Sequence, residues 1–403
     1  MSWEKVTLGE LYTVHNGLSK GREFFGEGFP FLSFSNVFNN YFIPDELLDL
    51  VQSSEKEQND YSIKRGDVFV TRTSETSDEL GMSCVALKDY PTATYNGFTK
   101  RMRPINADRV LPEYIGYYMR MPSFRGNFRA FSTMTTRASL RNEDLLSLEV
   151  LLPSLEIQKR IASILLNYDN LIKNNQKQIK LLEEASQRLY KEWFVDLHFP
   201  GYESTTITDG VPDGWNHNTV DSIVNLLSGY AFKSTTFDDS GDFKIVTIKN
   251  VQDGFFDGEN VNRILEMPSK MPDHCVLQDG DILLSLTGNV GRVCLVNGEN
   301  YLLNQRVAKL DSKFKGYTYC LFRSKDMFDA MNNLANGAAQ QNLSPIRTGN
   351  IEIPIPNDTL LADFEKIINP IIKKILILNK EISELKQARD RLLPKLMSGE
   401  IEV

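Results

Sequence analysis

The sequence predicts an α+β (mixed α/β) protein. It has two similar globular domains separated by two long helices packed as an antiparallel coiled coil, the whole forming an internal repeat with pseudo-two-fold symmetry. Three observations carry this expectation. Apolar residues recur at alternating steps of four and three along two runs, near 155–196 and 357–398, with Lys, Glu, Gln, Asn and Arg between them. The stretches ahead of the two runs share short motifs in the same order. Each of those stretches mixes short β-rich segments with a few helical ones.

The chain is taken as 1–153 (first globule), 154–198 (first helix), 199–214 (linker), 215–356 (second globule) and 357–403 (second helix and tail). Near the start, Trp3-Glu-Lys-Val-Thr-Leu-Gly-Glu-Leu has its counterpart in Trp215-Asn-His-Asn-Thr-Val-Asp-Ser-Ile. Phe31-Leu-Ser-Phe-Ser-Asn-Val37 answers Ile245-Val-Thr-Ile-Lys-Asn-Val251, read as a strand ending in Asn-Val. Gly66-Asp67 and Gly280-Asp281 each form a turn that launches a buried strand. Leu148–Pro153 and Ile351–Pro356 are short strands closed by proline ahead of each helix, with Ser154 and Asn357-Asp358 as N-caps. The first helix seam runs through Ile161, Leu165, Tyr168, Ile172, Ile179, Leu182 and Leu189. The second runs through Phe364, Ile368, Ile371, Ile375, Leu378, Ile382, Leu385 and Leu392. Asn175 is a polar seam position. Pro200-Gly201 is expected to end the first helix, and the Ser/Thr/Gly/Pro-rich stretch after it reads as linker. Pro370 is expected to kink or break the second helix, and Pro394 makes Leu396 an insecure seam position. A helix of about 40 residues would make a strut about 60 Å long.

Hydrophobic content of 41% and charged content of 24% are ordinary for a globular protein. The opening MSWEKVTLGELY lacks the apolar core of a signal peptide, and no apolar run approaches a membrane span. Four cysteines without CxxC spacing make a disulfide scaffold improbable and the cytoplasm the expected compartment. The net charge of −8 hides a basic segment: between 99 and 141 only Asp108 and Glu113 oppose a dense run of Lys and Arg. A search for chemistry finds no catalytic set and no metal site. His15, His198, His217 and His274 form no metal spacing, and there is no phosphate loop. Asn369-Pro370-Ile371 lacks the second proline and aromatic of an adenine-methylating element.

Four features together resemble the specificity (S) subunit of type I restriction-modification systems. These are the repeated proline-then-helix unit, Leu189-Tyr-Lys-Glu-Trp-Phe-Val-Asp-Leu-His-Phe-Pro-Gly201, Gly210-Val-Pro-Asp-Gly-Trp215, and Arg391-Leu-Leu-Pro-Lys-Leu-Met-Ser-Gly-Glu-Ile401. The resemblance spans the chain. It implies that the globules are target-recognition domains, each reading one half of a bipartite asymmetric site in double-stranded DNA. It implies that the helices set the spacer and dock two methyltransferase (modification) subunits. S-adenosylmethionine would then act in those partners, ATP and Mg in a motor-nuclease restriction subunit where one exists, and no cofactor in this chain. The residues alone leave two other readings: a self-contained DNA methyltransferase or nuclease fusion, and a stand-alone coiled-coil DNA-binding regulator.

Phosphates favour Arg, Lys and hydroxyl or amide side chains, whereas base edges favour Arg or Lys for guanine and Asn or Gln for adenine. In the first globule this selects Thr71, Arg72, Thr73 and Ser74 after the Gly-Asp strand, and Thr135, Thr136 and Arg137 with Arg141. Lys100, Arg101 and Arg103 are expected as clamps on the DNA backbone. The second globule offers Ser285, Thr287, Asn289 and Arg292, then Gln340, Gln341 and Asn342, with Lys249 and Asn250 nearby. Arg137→Ala should weaken binding, or relax one base of the first half-site, by about 1–3 kcal/mol in a titration against single-base variants of the site.

Overall fold

Each half of the chain opens and closes with a strand, and those two strands pair with each other. Glu4–Thr7 runs antiparallel to Glu149–Leu152, and Asn216–Thr219 to Glu352–Ile355. The structure, a computed structural model, describes residues 3–74, 80–129, 138–259, 261–335 and 342–403. The chain divides into two units. One comprises Met1–Leu171 and Leu385–Val403, the other Ile172–Glu384, so each contains a globule and a piece of both long helices.

In the first unit, a four-stranded antiparallel sheet has the order Tyr12–Asn16, Thr99–Pro104, Val68–Thr71, Ser83–Val85. A second sheet contains Leu50–Val51, Phe25–Leu32 and Thr94–Tyr95. The second unit repeats the first sheet as Asn225–Ser228, Val307–Asp311, Ile282–Ser285, Val293–Leu295. Its other sheet has four strands: Asn262–Ile264, Phe243–Val246, Tyr301–Leu303 and Val276–Leu277.

The repeat extends to single hydrogen bonds. Gly66 and Gly280 have φ of 89° and 82°, a left-handed conformation that glycine adopts without steric cost. Asp67 accepts from the Lys64 amide at 2.7 Å, and Asp281 from the Gln278 amide at 2.8 Å, closing the same turn. Each buried carboxylate then meets a cation on the neighbouring strand: Arg103 at 2.6 Å, Lys309 at 2.7 Å. At the far end of each strand a buried hydroxyl pins the next loop. Thr71 Oγ1 accepts from the Met82 amide at 3.0 Å, and Ser285 Oγ from the Arg292 amide at 3.3 Å.

Three local expectations are corrected. The strand at Phe31 stops at Leu32, because Ser33 caps a helix over Phe34–Asn39; the equivalent strand stops at Val246, where Asn250 accepts from the Thr247 amide at 2.8 Å. The first long helix is α-helical over Leu155–Tyr190 and ends in a single π-helical turn, Lys191–Val195, before Pro200 is reached. Leu197, at φ 61°, turns the chain away there. The linker is not featureless: Ile207–Thr208 and Val211–Pro212 form a hairpin about Asp209-Gly210, both left-handed, as a tight two-residue turn requires.

The second long helix runs unbroken over Asp358–Ser398. Pro370 does not break it because it lies on the solvent side, as does Lys366, whose carbonyl loses its helical partner. Pro394 is likewise exposed, and Leu396 beyond it is fully buried beside Ile161, Leu165 and Leu393 in the first unit. Both helix starts are capped: Ser154 Oγ accepts from Ile157 at 3.5 Å and Asn357 Oδ1 from Leu360 at 2.9 Å.

Within the second unit the helices run antiparallel. Asn175 donates to Glu381 at 3.0 Å, while the Trp193 ring lies 5.5 Å from that of Phe364, tilted against it. No seam residue is exposed: Ile172, Phe364, Ile368, Ile375, Leu378 and Ile382 are buried, and Ile179, Leu182, Leu189 and Ile371 are half-buried. In the first unit Ile161 and Leu165 are buried and Tyr168, Leu385 and Leu392 half-buried, with Arg389 paired to Asp169 at 2.5 Å. The second globule is keyed to its helix by a buried pair, Glu183 with Arg323, supplemented by Tyr319 donating to Glu183 at 2.6 Å. Among the described residues no helix is long and apolar enough to cross a membrane.

Arg323→Ala strips the buried Glu183 carboxyl of its counter-ion and should cost about 3–5 kcal/mol in urea unfolding. Ser285→Ala removes the acceptor of the Arg292 amide and should cost about 1–2 kcal/mol by the same measurement, while Ser285→Thr should cost less.

Candidate nucleic-acid interface

The two loops selected in each globule come together. In the first, Thr73 and Ser74 form a short strand paired with Ser139 and Ala138, and the Leu140 amide donates to the Arg72 carbonyl at 2.9 Å. In the second, Thr287 bridges Asn342, and the Leu343 amide donates to the Leu286 carbonyl at 2.8 Å. The strand after the Gly-Asp turn and the segment ahead of each final small helix thus share one rim. Thr135, Thr136, Arg137, Gln340 and Gln341 lie outside the described residues.

Beside the first rim is an open cleft of about 380 Å³ lined by Asn16, Arg72, Lys100, Arg141, Asn142 and Glu143. Lys100 is 6% exposed and donates to Asn142. Burial, and then the neighbouring Arg72 charge, pull its ammonium below the usual lysine range. Arg72 is half-buried, and its Nε has no hydrogen-bond partner among the described residues. Arg141 is exposed and held by Asp144 at 2.8 Å. Beside the second rim a cleft of about 500 Å³ is lined by Asn289 and Arg292 together with Asp253, Arg323, Lys325 and Asn332. Asn289 and Asn342 are exposed, and Arg292 donates to Gln252.

Several candidates prove to be internal. Strand alternation sends Lys100 to the cleft and Arg101 and Arg103 to the opposite face. There Arg101 donates to the Ser62 carbonyl at 2.7 Å and lies 5.5 Å over the Tyr95 ring, and Arg103 is spent on Asp67. Neither is placed to clamp DNA. Arg120 donates to the carbonyls of Ser83, Val37, Phe38 and Asn40, so much of the basic segment is structural glue. Thr71 and Ser285 are fully buried loop pins; Ser285 also donates to the Asn289 carbonyl. Asn250 is buried with its amide on the Asp257 carbonyl at 2.8 Å, while Lys249 beside it is exposed. Thr287 is half-buried, and its Oγ1 has no hydrogen-bond partner among the described residues. Asn16, Asn142, Lys325 and Asn332 were not selected from the sequence, since isolated polar residues carry no spacing signal.

The thiols are not poised for chemistry. All four cysteines are buried, and burial pushes Cys84 up to about 12 and Cys275, Cys294 and Cys320 upward as well. Among the described residues no group of three or more His, Cys, Asp and Glu could hold a metal ion.

Comparison with known proteins agrees with the duplicated architecture. The chain is 24% identical to the type I restriction enzyme MjaIX specificity subunit of Methanocaldococcus jannaschii, over 98% of this chain and 92% of that protein. It is 22% identical to the type I restriction enzyme HindI specificity subunit of Haemophilus influenzae, over 99% of each. Its fold is similar to the crystal structure of a type I restriction-modification S subunit from M. genitalium, with a TM-score of 0.57 at 16% identity, covering 98% of this chain and 96% of that one. The profile of the type I restriction modification DNA specificity domain matches twice, over residues 1–184 and 212–387, once for each globule with its helix, and the chain belongs to that family.

Proposed function

We propose that this chain is the non-catalytic DNA sequence-specificity subunit of a type I restriction-modification complex. Each globule reads one half of a bipartite, asymmetric site in double-stranded DNA. The observation that carries this reading is the paired-loop rim, built by the same backbone hydrogen bonds in both globules and flanked in each by a polar, cation-bearing cleft. A rim held by backbone bonds can vary its side chains without losing its shape, which suits a reader of sequence.

In the first globule Arg72, Lys100 and Arg141 are the groups offered to DNA, with Thr73 on the rim. In the second they are Asn289, Arg292, Lys325 and Asn342, with Lys249 exposed nearby. The long helices set the distance between half-sites and dock two methyltransferase subunits. S-adenosylmethionine is used by those partners, and ATP with Mg by two restriction subunits where the system has them. The cytoplasm, where DNA and these partners meet, is the proposed compartment.

Mapping methylated genomic positions by sequencing, with and without this chain, tests the reading: a bipartite motif should disappear when the chain is removed. Inserting four residues after Asn175 should then lengthen the tolerated spacer and leave both half-sites unchanged. Altered half-sites would mean that the helices do not set spacing.

A further inference from the structure

We propose that the first globule carries a recessed phosphate anchor, made by Arg72 and Lys100 at its cleft, and that the second globule has none at the matching positions. The inference rests on the DNA-reading function proposed above and adds a division of labour between the two readers.

Sheet register fixes the equivalences. The Arg72 amide donates to the Phe98 carbonyl and the Leu286 amide to the Arg306 carbonyl, both at 3.0 Å, and each residue accepts from the returning loop through its own carbonyl. Arg72 and Leu286 therefore hold one position. Lys100 faces Val70 across the ladder, and Ala308 faces Leu284, so these two also correspond. One globule thus has two cations where the other has two aliphatic side chains, and Leu286 and Ala308 are buried there.

The hydrogen-bonding state of the two cations suits an anionic partner. Lys100 has three donors and is almost wholly buried, yet donates only to Asn142 among the described residues. Among the described residues the buried Nε of Arg72 has no hydrogen-bond partner. Arg141 is neutralised by Asp144, which leaves Glu143, exposed on the rim, as the one carboxylate lining the cleft. Two like charges held together are costly, and a doubly hydrogen-bonded anion relieves both. Geometry selects which part of DNA supplies it. Base edges lie recessed in a groove and are met by protruding side chains, whereas a phosphate projects and can enter a recess. The anchor therefore contributes affinity and registration, not sequence.

The test is binding of the full-length chain to duplexes of matched length, containing or lacking the target motif, over a range of salt concentrations. Arg72→Gln should weaken binding to every duplex by the same factor and flatten the slope of log affinity against log salt by about one. Glu143→Gln, a rim change that leaves the fold intact, should tighten binding to every duplex, and inorganic phosphate should compete more weakly against Arg72→Gln than against the unaltered chain. Loss of affinity confined to one base pair would make Arg72 a base reader and overturn the anchor. An unchanged salt slope with discrimination intact would overturn it too, without touching the recognition function. An unaltered chain that neither binds nor discriminates duplexes would instead refute the recognition function, and the anchor with it.

Discussion

Neither long helix can keep its apolar stripe in water, and that constraint shapes the rest of the molecule. Helices of 36 and 41 residues carry seams far longer than one globule can cover. Each buried Leu or Ile contributes about 1.5–3 kcal/mol when removed from water. The solution is for each unit to bury one piece of both helices along with its own globule. Apolar contacts are tolerant of sliding, so the polar exceptions do the specifying. Asn175 with Glu381, and Arg389 with Asp169, satisfy their hydrogen bonds in one register only, which fits the use of polar seam residues to fix alignment at some cost in stability.

The same separation of duties recurs in the globules. Buried carboxylates at Asp67 and Asp281 and buried hydroxyls at Thr71 and Ser285 hold the strand that carries each rim, and they are the groups that match between halves. The side chains carried on that frame do not match: Arg72 stands where the other half has the buried Leu286. A frame secured by main-chain bonds and a few internal polar groups lets the outward residues change with little effect on stability, because substitutions away from such features are usually worth less than about 0.5 kcal/mol.

Much of this architecture was legible in the residues. The 3.5-residue period, the two Gly-Asp turns and the two strand-Pro-helix junctions are local patterns with local causes, and they located the duplication. The second helix was read too cautiously. Proline removes one hydrogen bond wherever it sits, but whether the helix breaks depends on which face it occupies, and that is a tertiary fact. The candidate loops are legible as places, and the backbone bonds joining them are not, since partners such as Arg72 and Leu140 are far apart in sequence. The basic segment misled most. Counting Lys and Arg between 99 and 141 cannot separate Lys100, which reaches the cleft, from Arg101, Arg103 and Arg120, which hydrogen-bond inside the fold. Alternation along a strand makes that separation, but only once the strand's two faces are known.

The pairing of each globule's opening and closing strands carries a consequence for how such proteins diversify. A lobe whose entry and exit are zipped together by Glu4–Thr7 with Glu149–Leu152, or by Asn216–Thr219 with Glu352–Ile355, is a cassette with a single doorway. Because chain entry and exit lie side by side, residues can be gained or lost between them without moving the point at which the chain enters its long helix.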